Sequence, residues 1–149
     1  MSATRLNVGE LRPGPAAASI AFVLGADVAG STVLDVLSAT RAVCPAIVAG
    51  DRHVVGSPVP VPAADLRLLG VVLEHNGEVV ATAAGAASFG HPAAAVAALA
   101  GELQRAGEQL RAGDVVVAEP LASVGEVRSG DVLVASVGRV GTVEAAVTG

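Results

Sequence analysis

The sequence is poor in aromatic side chains, in cysteine and in basic residues. Trp and Tyr are absent, two Phe make up the aromatic 1%, and Cys44 is the one cysteine in 149 residues. A single cysteine excludes an intramolecular disulfide framework. With a formal net charge of −5 and no basic patch, the chain lacks the electrostatic signature of a protein that binds nucleic acid.

Long apolar runs are also missing. No run reaches the roughly 18 residues that predict a membrane span. The first ten residues, MSATRLNVGE, lack the apolar core of a secretory signal. Together these absences predict a cytoplasmic protein that has neither a membrane nor a nucleic acid as its partner.

The abundant residues are small and aliphatic. Hydrophobic residues make up 52% of the chain, and the mean hydropathy is +0.65. A core of Val, Leu, Ile and Ala is typical of a β-rich domain. So apolar a composition in a short chain also indicates that some surface is covered by another subunit, and we expect a homo-oligomer, most simply a dimer.

The order of apolar runs and breaks predicts an α+β domain. Residues 1–16 are interpreted as an irregular lead-in and residues 17–149 as a single domain. The apolar run at 19–24, which Gly25 ends, is typical of a buried strand. Asn76-Gly77 between two apolar runs predicts a β-hairpin, with His75 exposed beside the turn.

Two longer segments have helical periodicity. The first spans residues 31–43 and is predicted to be capped by Ser31. The second begins at His91-Pro92, with His91 as its cap, and continues to about residue 110. Cys44, which follows the first segment, is interpreted as a buried thiol.

Three segments carry a resemblance to a known family. They are PAAASIAFVLG at 15–25, the run at 66–103 that contains EHNGEVVATAAGAASFGHP, and the run at 112–147 that begins AGDVVVAEPLASVGEVRSGDV. These segments closely resemble the 2-hydroxypenta-2,4-dienoate hydratase and 4-oxalocrotonate decarboxylase family. The resemblance implies the fumarylacetoacetate-hydrolase-like fold. We therefore expect a β-rich mixed barrel or roll with two main helices, shorter than the family's usual length.

The resemblance also identifies three positions where relatives carry metal-binding carboxylates. Relatives read Glu-any-Glu-Ile-Ala-Phe in the first segment, and here the two glutamates are replaced by Ala17 and Ser19. A third glutamate is replaced by Val48. Hard divalent cations need oxygen ligands that usually include carboxylates. We therefore expect no metal and no other cofactor.

Loss of the metal ligands predicts a less polar hollow suited to an apolar small molecule. Relatives contact substrate through Ser-Gly-Ser-Leu-Thr, where this chain has residues 118–122, AEPLA. Glu119 in that segment is a candidate general acid or base, with a solvated glutamate at a strand end as the alternative. Candidate substrate-binding residues are Ala17, Ser19, Ala21, Val48, Arg52, Ala118 and Ala122.

A second set of candidate catalytic residues is Asp51 and His53. In a strand the two side chains share a face, so that Asp51 can orient the imidazole, and Arg52 lies between them. The alternative is a polar surface segment with no catalytic role.

Three functions remain open from the sequence. The first is a metal-independent enzyme, a cyclase or isomerase that includes pericyclic reactions such as cycloaddition, in secondary-metabolite biosynthesis. The second is a non-catalytic partner or ligand-binding protein, and the third is retained hydratase or decarboxylase activity.

Overall fold

The computed structural model describes residues 3–4, 10–50, 52–63, 65–87 and 90–149. Within these ranges the chain forms ten strands and two α-helices, with short 3-10 turns near the start of one strand and the end of another. The strands are β1 (Ala3–Thr4), β2 (Gly14–Leu24), β3 (Thr40–Ala49), β4 (Arg52–Val55), β5 (Gly70–His75), β6 (Glu78–Ala84), β7 (Val115–Val117), β8 (Ala122–Val127), β9 (Val132–Val137) and β10 (Gly141–Ala146). The helices are α1 (Val33–Ala39) and α2 (Pro92–Arg105).

The strands form two sheets. The first has the order β1-β7-β2-β3-β4. β8 also pairs with β2, over residues 14–18, whereas β7 pairs with residues 21–23. The second has the order β10-β9-β5-β6. Every strand pair in both sheets is antiparallel. This β-rich α+β architecture with two helices confirms the predicted fold class.

β2 is buried on both faces. Side chains alternate between the two faces of a strand, and residues 16–24 are all buried. The even-numbered residues, among them Ile20 and Phe22, join the large core that β5, β9 and α2 also line. Ala21 and Val23 point the other way into a separate cluster. β2 thus divides the interior in two. It begins at Gly14, inside the segment that was expected to be irregular.

α2 begins as predicted, because His91 caps it and Pro92 opens it. The His91 Nδ1 atom accepts a hydrogen bond of 2.9 Å from the Ala93 N–H, and proline has no N–H to leave unpaired there. The helix ends at Arg105, earlier than predicted, and Gly107 follows with a φ of 78°. A glycine in this conformation is a common helix terminator.

α1 is shorter than predicted because β3 begins at Thr40, inside the last turn of the predicted helix. The helix is capped by Thr32, whose hydroxyl accepts from the Asp35 N–H. It ends at Ala39, and Thr40 already pairs with Leu24 of β2. Pairing with β2 outweighs the helical periodicity of residues 40–43, of which Thr40 and Val43 are β-branched. Neither α1 nor α2, nor any other helix in the described ranges, is long and apolar enough to cross a membrane.

The β5–β6 hairpin turns at Asn76-Gly77, as predicted, and both residues have positive φ angles of 51° and 86°. The prediction that His75 is exposed is wrong. It is half-buried, and its Nε2 atom lies 2.9 Å from Asp131 Oδ2. Hydrogen bonds from the Arg128 N–H, Asn76 and His75 lower the pKa of Asp131 to about 2. The hydrogen bonds of Asp131 with His75 and Asn76 connect the hairpin to the turn before β9.

Candidate functional site

The odd-numbered residues of β2 and the even-numbered residues of β3 form one continuous and largely buried face of the sheet. In antiparallel sheets, side chains directly opposite each other share a face. Ala17 is opposite Val48, Ser19 opposite Ala46, Ala21 opposite Cys44, and Val23 opposite Ala42. We call these eight residues the small-residue face. The four candidates Ala17, Ser19, Ala21 and Val48 are therefore neighbours, and their role in ligand binding stays a prediction.

The neighbouring strands extend this face with apolar side chains. Val115 and Val117 of β7 lie beside Val23 and Ala21, and Val55 of β4 lies beside Ala46. Cys44 is fully buried within it as a free thiol, as predicted. Burial raises its pKa, which keeps it protonated and unreactive.

Ser19 is the polar exception on the face. It is the one fully buried polar residue in the described part of the chain. Its hydroxyl lies 3.1 Å from the Ala118 carbonyl oxygen and 2.9 Å from that of Glu119. A hydroxyl has one hydrogen to donate, so these two carbonyls share it. These contacts leave the lone pairs of the Ser19 oxygen unengaged.

Ser19 lies opposite a break between β7 and β8. The Ala118 N–H donates to the Ile20 carbonyl at 2.9 Å, and the Leu121 N–H donates to the Ala18 carbonyl at 3.0 Å. Between them Pro120 has no N–H to donate, so the ladder is interrupted there. The Ser19 hydroxyl occupies the gap that this interruption leaves.

Glu119 lies at this break, at the border of the small-residue face. Its carbonyl contacts Ser19, and its side chain is half-buried. The structure thus brings Glu119 next to one of the predicted substrate-binding residues. Its role as a general acid or base stays a prediction.

Ala118 and Ala122 are not on the small-residue face with Ala17 and Ser19, and their role in substrate binding stays a prediction. Ala122 is opposite Ala18, and both it and Ala118 pack in the large core. The period of two along β2 puts them on the opposite side of the sheet. The residue of β8 that does face Ala17 is Ser123, which is exposed. The sequence does not reveal it, because only the register with β2 identifies it.

His53 reaches the small-residue face from β4. It is opposite Val48 and half-buried. Its Nε2 atom is buried and has no hydrogen-bond partner, and burial lowers the pKa of the ring. Arg52 is exposed and opposite Ala49, so it lies on the other face from Val48, and its role in substrate binding stays a prediction. Asp51, the proposed partner of His53, lies outside the described residues.

A separate open hollow of about 190 Å³ lies beside α1. Its two carboxylates already have structural partners. Asp35 accepts from the Thr32 N–H in a helix cap, and Asp27 accepts from the Ala112 N–H. Both carboxylates of this hollow therefore take part in contacts that support the fold.

Known proteins resemble this chain in sequence and in structure, although no family model matches it. The 2-keto-4-pentenoate hydratase of Paraburkholderia xenovorans is 35% identical over 150 residues, covering 85% of this chain and 56% of the relative. The 4-oxalocrotonate decarboxylase of Pseudomonas sp. CF600 is 49% identical over 67 residues, 45% of this chain and 25% of the relative. The chain is a homologue of this hydratase and decarboxylase family.

Solved structures share the fold of this chain. The 4-oxalocrotonate decarboxylase of Pseudomonas putida G7, in complex with calcium and acetate, has a TM-score of 0.83 and 30% identity over 92% of this chain and 61% of its own. A fumarylacetoacetate isomerase/hydrolase-like protein of Oleispira antarctica, at 17% identity and a TM-score of 0.71, shares the fold alone. The chain spans a little over half the length of the hydratase and about three fifths of the decarboxylase.

The small-residue face does not have the donors that the family's divalent metal requires. The positions that correspond to the family's carboxylates hold Ala17, Ser19 and Val48, which provide one hydroxyl among them. That hydroxyl already donates to backbone carbonyls. Across the described ranges no three His, Cys, Asp or Glu side chains come together as a metal site. A hard cation is not accommodated by such a set.

Proposed function

We propose that this homologue binds an apolar small molecule on the small-residue face and acts on it without a divalent metal. The observation that supports this most directly is the chemistry of the face itself. Seven of its eight residues are Ala, Val or Cys, and the eighth is Ser19. A surface of this kind favours hydrocarbon, because it has no charge to pair with an acid and few groups to solvate a polar ligand.

A metal-independent reaction on such a surface depends on shape. Holding the reacting atoms of a flexible substrate close together removes much of the entropic barrier to ring closure or rearrangement. We therefore propose a cyclase or isomerase, with pericyclic reactions such as cycloaddition included, of the kind that secondary-metabolite pathways use. Glu119 at the border of the face is the proposed proton donor or acceptor, where the reaction needs one.

Two alternatives have support of their own. The names of the relatives favour hydratase or decarboxylase activity, although that chemistry lacks its carboxylates here. A non-catalytic partner or ligand-binding protein is favoured by a fold that persists without those carboxylates.

The first test is to fill the face. Ala17→Phe adds an aromatic ring beside Val48, and Ala146→Phe adds the same ring at an exposed position of β10 as the control. Binding of the uncharged fluorescent probe N-phenyl-1-naphthylamine is measured, and circular dichroism reports the fold. We expect the wild type and the control to bind the probe and Ala17→Phe to lose it while staying folded. Equal binding by both variants would contradict the proposal.

The second test separates the proposal from retained family activity. The protein is incubated with 2-keto-4-pentenoate and Mg²⁺, and loss of the substrate absorbance is followed. We expect no turnover above a protein-free control. Metal-dependent hydration would refute the metal-independent proposal and support the hydratase alternative.

A further inference from the structure

We propose that His53 recognises an uncharged polar group on the ligand, a hydroxyl or a carbonyl, at the open end of the small-residue face. This inference rests on the proposed function and adds to it the chemical class of the ligand, a hydrocarbon that ends in a neutral oxygen rather than in a carboxylate.

The position of His53 is the first argument. A row of side chains crosses four strands of the first sheet on the same face: His53, Val48, Ala17 and Ser123. In this row Ser123 is exposed, His53 and Val48 are half-buried, and Ala17 between Val48 and Ser123 is buried. Further along, Ala21 and Cys44 are completely buried. The row that contains His53 is therefore the end where the face meets solvent and where a ligand enters.

The second argument is the unpaired ring nitrogen of His53. The Nε2 atom of His53 is buried, yet nothing within the described ranges forms a hydrogen bond with it. Native proteins leave few buried polar atoms unpaired, because an unpaired one has lost its hydrogen bonds to water without replacement. Val48 and Ala17, its neighbours in the row, have no polar side-chain atom. Ser123 is three strands away, roughly 14 Å at the usual strand spacing. A group on the ligand supplies the missing partner.

The third argument is charge, which excludes an acid. Burial holds the pKa of His53 below its ordinary value, so the ring is neutral near pH 7. A neutral imidazole can donate or accept a hydrogen bond, which suits a carbonyl or a hydroxyl. The nearest arginine in sequence, Arg52, lies on the opposite face. Arg41, whose charge acts on Cys44, lies at the other end of β3 from Val48 and His53. None of the eight residues of the small-residue face is itself a cation that could pair with a carboxylate.

Three probes of similar size test the inference on the full chain. Toluene, phenol and benzoate share a ring and differ in bearing a methyl, a neutral hydroxyl or a carboxylate. Affinities are measured by NMR titration for the wild type, His53→Phe and His53→Gln. The ¹⁵N resonances of the His53 ring are followed in the wild type.

We expect the wild type to bind phenol about fivefold or more tightly than toluene, as one neutral hydrogen bond provides, and to bind benzoate more weakly than phenol. His53→Phe should keep toluene binding and lose the preference for phenol. His53→Gln, which retains polar atoms, should keep part of that preference. The Nε2 resonance should shift with phenol and not with toluene.

The outcomes distinguish the inference from the proposed function. If toluene binds but phenol has no advantage, or keeps its advantage in His53→Phe, His53 does not recognise the ligand and only the inference fails. Tighter binding of benzoate than of phenol also overturns it. If none of the probes binds the wild type, the proposed apolar binding face fails, and the inference fails with it.

Discussion

Replacing Ser19 with alanine should destabilise the fold by removing the hydroxyl that occupies the break between β7 and β8. In the wild type this group donates to the carbonyls of Ala118 and Glu119 at 3.1 and 2.9 Å, in a site with no exposed surface. A neutral hydrogen bond contributes about 1 kcal/mol, and a buried carbonyl left unpaired costs up to about 3 kcal/mol. We therefore expect the free energy of unfolding to fall by about 1–3 kcal/mol.

The assay is urea unfolding followed by circular dichroism, with Ser123→Ala as the matched control. Ser123 belongs to the same face but is exposed. A surface substitution of this kind changes stability by about 0.5 kcal/mol or less. The midpoint for Ser19→Ala should therefore move clearly further than the control midpoint, at an unchanged slope.

A small effect would refute this reasoning. If Ser19→Ala is as stable as Ser123→Ala, the hydroxyl does not support the strand break. Ser19 would then be free to donate its hydrogen to a ligand, in agreement with its prediction as a substrate-binding residue. A fall in probe affinity without a fall in stability would support that alternative.

Three further predictions follow from the structure. Millimolar Mg²⁺ or Mn²⁺ should leave the thermal midpoint unchanged, because bound metal would raise it, and stoichiometric metal in the purified protein would contradict this. Burial lowers the pKa of His91, whose Nδ1 atom caps α2. As the pH falls, this histidine is therefore protonated in the unfolded chain before it is protonated in the folded chain. The free energy of unfolding should then decrease as the pH drops below about 6.5. His91→Asn keeps a capping side chain without this titration and should weaken the acid sensitivity in urea unfolding at pH 7.5 and 5.5, whereas an unchanged pH dependence would count against it. Light scattering should give a dimer, since Leu68 and Val79 are exposed apolar side chains, and a monomer at micromolar concentration would remove that expectation.

The sequence predicts well those features that depend on a few adjacent residues. The hairpin at Asn76-Gly77 and the start of α2 at His91-Pro92 are examples, because turn and cap chemistry are local. Helix ends were predicted less well. Residues 40–43 have helical periodicity but pair with β2, a contact with a distant segment that outweighs local preference.

Predictions about the site divide along the same line. Alternation along one strand was enough to place Ala17, Ser19 and Ala21 on one side. Alternation was not enough to show which residues of the neighbouring strands lie on that side, since this depends on the register of the strand pairs. Ala118 and Ala122 therefore proved to lie on the opposite side, and Ser123 was missed. Residues that meet only through sheet pairing cannot be grouped from spacing alone.

The two-sided burial of β2 has a consequence for how such a chain changes over evolution. Even-numbered positions such as Ile20 and Phe22 hold the large core, while the odd-numbered positions between them contact a separate, smaller cluster. Substitutions on one face of the strand can thus change the chemistry of that face while the side chains of the other face stay in the large core. A library that varies positions 17 and 21 and keeps Ser19, whose hydroxyl supports the strand break, would sample new specificities on this backbone.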